Sequence, residues 1–121
     1  VFFKEYGGDF RTMPAYMEEK GAAGVKIVNV HPNNPEDHDL PSVMATIQLV
    51  DQETGKPLSI MDGTLITNLR TGAAGAVAAE TLAREKAGTV GMIGAGEQAK
   101  TQLRALNEVK DIEKVFQKLP N

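Results

Sequence analysis

Apolar and polar positions along the chain follow two rhythms. From Val1 to about Asp62, short stretches rich in valine, isoleucine, phenylalanine and tyrosine are separated by clusters of Gly, Pro, Asp and Asn, the pattern of strands joined by turns. Residues 1–6 and 10–16 flank Gly7-Gly8-Asp9, and residues 43–51 and 57–62 flank Gln52-Glu53-Thr54-Gly55-Lys56. Each pair predicts a hairpin, the second with a glycine for a left-handed position. Residues 25–30 give a fifth strand. Between the hairpins, His31-Pro32-Asn33-Asn34-Pro35-Glu36-Asp37-His38-Asp39 is too rich in proline and too poor in apolar residues for either regular element, which predicts an exposed loop.

After Asp62 the rhythm changes. Thr71-Gly72-Ala73-Ala74-Gly75-Ala76-Val77-Ala78-Ala79-Glu80-Thr81-Leu82-Ala83 is dominated by alanine, the best helix former, and predicts a helix reaching about Lys86. Two glycines inside a helix cost roughly 1 kcal/mol each relative to alanine, so a close backbone contact on that face is expected. Gly88 stops the helix, and Thr89-Val90-Gly91-Met92-Ile93 has the length and continuous apolarity of a buried parallel strand.

Gly94-Ala95-Gly96-Glu97-Gln98-Ala99 follows that strand and opens a segment in which Ala99, Leu103, Leu106 and Val109 recur at helical spacing. Strand, glycine loop and helix in this order suit a dinucleotide pyrophosphate. Gly94 permits the tight turn, Gly96 admits close backbone approach, and the helix N-terminus offers unpaired N–H groups. The acidic residue that would hold the ribose hydroxyls is expected about 20 positions on. That slot falls near Leu119; residues 115–121 supply no acid, and Asp111 and Glu113 come too early. A dinucleotide fold also needs more strands than follow Thr89, so the sequence reads as part of a longer chain.

Composition narrows the function classes. The chain has 121 residues, 41% hydrophobic, with a net charge of -3 and no cysteine. Without a basic run interleaved with aromatics, nucleic acid is not an expected partner. The lack of cysteine removes disulfides, thiolate metal sites and thiol nucleophiles, and suits a reducing, cytoplasmic setting. No apolar run approaches the roughly 20 residues of a membrane span, and the first segment is charged too early for a signal peptide. His31 and His38 lie in the proline loop with no cysteine or helically spaced carboxylates nearby, which argues against a metal site. Ser42 has no histidine placed to activate it as a nucleophile.

Three cations interrupt apolar patterns. Period-2 alternation puts Lys26 on one face with Val28 and Val30, either as a partly desolvated proton-exchanging amine or as a solvated edge-strand lysine. Arg11 shares a face with Met13 and Ala15 and has the fork geometry for a carboxylate, or is a surface arginine. Arg70, one turn from Ile66 and from Ala74, is expected on the inward face of the small-residue helix, where it would need an anion.

Arg11-Thr12-Met13-Pro14-Ala15-Tyr16, Val25-Lys26-Ile27-Val28-Asn29-Val30-His31-Pro32 and Leu40-Pro41-Ser42-Val43-Met44-Ala45 resemble successive motifs of the ornithine cyclodeaminase and mu-crystallin family. The likeness continues through Glu53-Thr54-Gly55-Lys56-Pro57-Leu58, Met61-Asp62-Gly63, Leu69-Arg70-Thr71-Gly72-Ala73-Ala74 and the glycine loop, up to Val115. The Gly-Asp-Phe-Arg-Thr-Met-Pro-Ala wording resembles the archaeal-type alanine dehydrogenase branch.

The resemblance implies an α+β, β-rich substrate and dimerisation domain with a connecting helix (residues 1–88), followed by the start of an α/β Rossmann domain (89–121). It implies NAD as cofactor, a homodimer, and a small amino acid or 2-oxo acid as substrate. By the same resemblance, Lys26 matches the active-site lysine and Arg11 a substrate-side arginine. Arg70 matches an arginine at the meeting of substrate and cofactor, Ser42 a cofactor-contacting hydroxyl, and Glu97 and Gln98 the pyrophosphate loop. The implied reaction is oxidative deamination of L-alanine to pyruvate and ammonium. The alternatives are ornithine cyclodeamination to proline and ammonia, and non-catalytic binding of nucleotide and small ligand, as in mu-crystallin.

Overall fold

A computed structural model describes residues 1–118. The chain divides into two compact units, Val1–Leu65 and Ile66–Asn121. The first carries β1 (Phe2–Phe3), β2 (Gly8–Met17), β3 (Ala22–Val30), β4 (Val43–Val50) and β5 (Pro57–Asp62), an antiparallel sheet in sequential order. The second carries most of α2 (Thr64–Leu82), then β6 (Thr89–Ile93), α3 (Glu97–Val109) and β7 (Lys114–Lys118), with β6 and β7 parallel. The architecture is thus mixed, an antiparallel sheet followed by a parallel βαβ pair.

The expected hairpin of residues 43–51 and 57–62 forms, whereas that of residues 1–6 and 10–16 shrinks to Phe2 opposite Asp9 and Phe3 opposite Gly8, because Gly8 and Asp9 join β2 instead of the turn. β2 and β3 pair over nine positions, from Asp9 opposite Val30 to Met17 opposite Ala22. A 3-10 turn at Glu18–Lys20 joins them, closed by Gly21 in the left-handed conformation. β3 starts three residues before the expected strand, because Ala22, Ala23 and Gly24 extend the ladder with Met17, Tyr16 and Ala15. β4 and β5 flank the second turn, where Asp51 Oδ1 accepts from the Thr54 amide at 2.8 Å and the Thr54 hydroxyl at 2.7 Å.

The polar stretch between β3 and β4 is not wholly irregular. Asn34–Asp37 forms a one-turn helix, α1, with proline in its first turn and Asn34 buried. Proline lacks only an N–H that a first helical turn leaves unpaired, so the residue that argued against a helix instead starts one. The Asn34 side-chain Nδ2 donates to the Pro41 carbonyl at 3.2 Å and ties the loop shut.

The α2 helix begins seven residues before the alanine-rich run. Asp62 accepts at Oδ1 from the Thr64 amide (3.0 Å) and at Oδ2 from the Thr64 hydroxyl (3.1 Å). A carboxylate just ahead of a helix satisfies first-turn donors that lack intrahelical partners. The Thr64 hydroxyl oxygen also accepts from the Ala45 amide at 3.1 Å, anchoring the helix start to β4. At its other end α2 stops at Leu82 rather than Lys86.

Among the described residues the buried apolar side chains are Val28, Ala45 and Ala76. Large apolar side chains stay exposed in both units, Ile60 at 71% in the first and Ile93 at 86% in the second. The expectation of a buried β6 therefore fails, since its positions alternate between exposed and half-buried. A parallel strand is buried when helices cover both sheet faces, and here the crossover between β6 and β7 supplies one helix, α3.

The close contact expected of the helix glycines is present at Gly72. A Cβ added there would lie 2.5 Å from the Thr101 carbonyl oxygen and 2.7 Å from its carbon. The obstacle is backbone, which cannot swing aside. Gly72→Ala should therefore lower the stability of the second unit by about 1–3 kcal/mol, the usual size of an overpacking penalty. In a denaturant titration of the full-length protein that reads this loss for Gly72→Ala, Gly91→Ala, whose Cβ would meet nothing within 4 Å, should leave the unfolding midpoint unchanged.

Candidate functional site

The sequence-selected residues fall into two groups, one in each unit. In the first, Lys26 lies at the middle of β3, opposite Met13 on β2 and Ile47 on β4. β3 is the central strand of five, so the edge-strand alternative for Lys26 is excluded. Its Nζ is shielded from solvent. Arg11 lies opposite Val28, and directly opposed residues of an antiparallel ladder share a face. Arg11 and Lys26 therefore project from the same face as diagonal neighbours, a relation that brings Cα atoms to roughly 7–8 Å. A cavity of about 190 Å³ opens beside Lys26, lined also by Met13, Ala15, Gly24, Ile47 and Leu49. One cationic head in a wall of thioether and aliphatic groups suits a small ligand with an apolar side and a polar end.

Arg11 keeps just over half of its side chain exposed and pairs with Asp9, whose side chain is only 10% exposed. The Asp9 carboxylate thereby acquires a counter-charge, as a buried anion requires. Asp9 was missed in the sequence because a glycine-flanked aspartate reads as a turn residue. The available signal was its period-2 spacing from Arg11.

Ser42 immediately precedes β4, and its carbonyl accepts from the His31 amide at 2.8 Å. His31 stacks on Phe3 with ring centroids 5.6 Å apart, and His38 caps the C-terminal end of α1. Both histidines thus serve the loop that closes the end of the sheet.

The second group centres on the turn from β6 to α3. Gly94 has φ +99°, a conformation that L side chains rarely adopt. Its N–H donates to the Lys118 carbonyl at 2.9 Å, and its own carbonyl accepts from Gln117 Nε2 at 2.9 Å. Gly96 is the N-cap of α3, and no side chain caps the helix there. A Cβ at Gly94 or Gly96 would meet nothing within 4 Å. Open space above two glycines, facing first-turn amides that no side chain occupies, fits the pyrophosphate of a dinucleotide. The acidic slot expected near Leu119 lies outside the described residues.

Glu97 is the exposed first residue of α3 and pairs with Lys100 one turn on. The hydrogen bond from Lys100, then its charge, hold the Glu97 carboxyl below the ordinary glutamate range, with Arg104 adding a smaller pull. Gln98 is half-buried and donates from Nε2 to Asn68 Oδ1 on α2. Asn68 drew no attention in the sequence, where a lone asparagine in a helix carries no pattern.

Arg70 corrects an expectation. It is exposed on α2, as are Ile66 and Ala74. The face that packs inward carries Thr67, Gly72 and Ala76, because close helix approach selects the smallest side chains rather than the row containing isoleucine.

The ornithine cyclodeaminase/mu-crystallin family profile matches residues 1–118, and the chain belongs to that family. It is 51% identical to an alanine dehydrogenase of Archaeoglobus fulgidus over 115 residues, covering 95% of this chain and 35% of that protein. The structure of Thermococcus litoralis Delta(1)-pyrroline-2-carboxylate reductase in complex with NADH and L-proline superposes with a TM-score of 0.93 at 45% identity, over 100% of this chain and 37% of that one. An archaeal alanine dehydrogenase dimer with bound NAD gives 0.87 at 49% identity, over 98% and 36%. The chain thus spans about a third of the length of the relatives it matches.

The Glu97 pair yields a measurable titration. A depressed carboxylate favours the folded state above the ordinary glutamate range and loses that contribution as pH falls through its lowered folded value. Lys100→Met should move the Glu97 titration upward toward the ordinary range, read by the side-chain carboxyl carbon shift in an NMR pH series. An unmoved midpoint would mean that Lys100 does not hold it down.

Proposed function

We propose that the full-length protein is an NAD(H)-dependent amino-acid dehydrogenase that converts L-alanine, NAD and water to pyruvate, ammonium, NADH and a proton. The observation that carries this reading is the shielded Lys26 ammonium on the central strand, beside a small apolar-walled cavity, with Arg11 on the same face. In this reading residues 1–88 hold substrate and the dimer contact, and residues 89–121 begin a Rossmann domain.

The roles follow from charge and reach. Arg11, oriented by Asp9, presents its remaining N–H groups to the substrate carboxylate, which an arginine fork grips in a fixed plane. The apolar cavity wall accepts the alanine methyl. Bound over Gly94, Gly96 and the α3 N-terminus, NAD would supply the hydride acceptor for the Cα hydrogen. Lys26 Nζ then hydrogen-bonds the carbonyl oxygen of pyruvate, and in the forward direction moves a proton between water and the substrate nitrogen. Arg70, exposed on α2, and Ser42, just ahead of β4, are included as substrate- or cofactor-binding residues on the family resemblance alone. Glu97 keeps its carboxylate on Lys100, which lessens its repulsion of a pyrophosphate at the helix start.

A second reading rests on the 0.93 TM-score with the pyrroline-carboxylate reductase, above the 0.87 for the alanine dehydrogenase. Reduction of a cyclic imine to proline, or formation of proline from ornithine, would use the same arginine, lysine and hydride. Sequence identity favours the alanine reading, at 51% to the A. fulgidus enzyme.

The test is NADH oxidation by the full-length protein with pyruvate plus ammonium, beside parallel assays with Delta(1)-pyrroline-2-carboxylate and, through proline formation, L-ornithine. Turnover of pyruvate is expected, and Lys26→Ala should reduce it by at least about 100-fold, the lower end for a lost proton-transfer group. Turnover of the cyclic imine or ornithine alone would move the protein to the second reading. NADH binding without any turnover would place it with the non-catalytic ligand binders.

A further inference from the structure

The side chain of Gln98 does not face the open space above the glycines. Its Nε2 is committed to Asn68 Oδ1 on α2, and its Oε1 is shielded from solvent. Asn68 and Gly72 are four residues apart on α2, and Gln98 and Thr101 three apart on α3, so each pair lies on one helix face. The Asn68–Gln98 bond therefore continues the seam in which Gly72 meets the Thr101 backbone. The glycine loop is held from the other side by β7, through the Gly94 bonds to Lys118 and Gln117.

We infer that Asn68 is a positioning residue for the dinucleotide loop: through Gln98 it locks the first turn of α3 against α2 and so fixes the direction of the amides that meet the pyrophosphate. Gln98 then serves the cofactor through its backbone, and its side chain serves Asn68. The bond is amide to amide, without charge, so it orients the loop and adds no electrostatic attraction for the cofactor. This rests on the dinucleotide reading of the loop given above.

Asn68→Leu removes the acceptor while keeping the branching and heavy-atom count of the side chain, and Gln98→Leu removes the donor. In the full-length protein each should weaken NADH binding by about five- to tenfold in a fluorescence titration, the effect of one net hydrogen bond. The double variant should be no weaker than either single, because both delete the same bond. KM for NADH should rise in parallel, while KM for the second substrate and kcat at saturating NADH stay within about twofold, since a positioned loop acts on binding and not on the chemical step. Amide hydrogen exchange at residues 94–98 without cofactor should accelerate in both variants. Should Asn68→Leu not fold, Asn68→Ser removes the same reach.

Multiplying penalties in the double variant would overturn the inference, because they would mean that the two side chains act independently. Unchanged loop exchange in Asn68→Leu would overturn it as well. Wild-type protein that binds no NADH, yet shows faster loop exchange on losing Asn68, would sink the cofactor reading and leave the positioning contact standing.

Discussion

The hydrogen bonding of β3 on both of its edges is the constraint on which the first unit depends. A central strand has no freedom to shift along either neighbour without breaking both ladders, so the residues opposite it are fixed to specific partners. That is how Met13 and Ile47 come to flank Lys26 and how Arg11 comes to share its face. The apolar groups here contribute less to fixing the arrangement than in a large domain, since Val28 and Ala45 are the buried apolar side chains on the sheet among the described residues. The backbone ladder carries the geometry, and the side chains exploit it.

The second unit has a corresponding constraint of a different kind. Gly72 lets α2 approach the α3 backbone at a distance that no other residue type permits. Once that approach is made, Asn68 reaches Gln98 and the helix start is set. The strand side is set by Gly94, whose positive φ and two hydrogen bonds leave it one conformation. Two glycines with opposite jobs, one for closeness and one for torsion, thus bracket the loop. The wide exposure of Ile93 and Ile60 accompanies a chain that spans about a third of the length of its relatives.

Much of this was legible in the sequence. Runs of β-branched and aromatic residues bounded by turn residues predict the first unit's strands and continuous apolarity predicts β6, and β5 and β6 run over the predicted residues. The strand, glycine loop and helix order was legible because each step has its own residue type. The start of α2 was not, since an aspartate after a strand serves equally as turn or cap until Thr64 is seen folding back on it. The facing of α2 was misread because apolar content was taken as the guide to packing, whereas Gly72 and Ala76 pack by their smallness. Asp9 and Asn68 escaped notice for a common reason: each matters through a partner brought in by folding, Arg11 by strand pleat and Gln98 from thirty residues on.

The turn between β2 and β3 has a bearing on how such a protein can change over generations. It joins two strands whose pairing decides which side of the sheet Arg11 and Lys26 occupy. Inserting or deleting a single residue within one ladder would move that strand by one step, and a one-step slip turns every side chain on it to the opposite face. Arg11 and Lys26 would then look in different directions with neither having been altered. The position of each cation within its ladder is therefore as constraining as its identity, and exchanging Met13 beside the cavity would disturb the shared face less than a one-residue slip of β2 or β3.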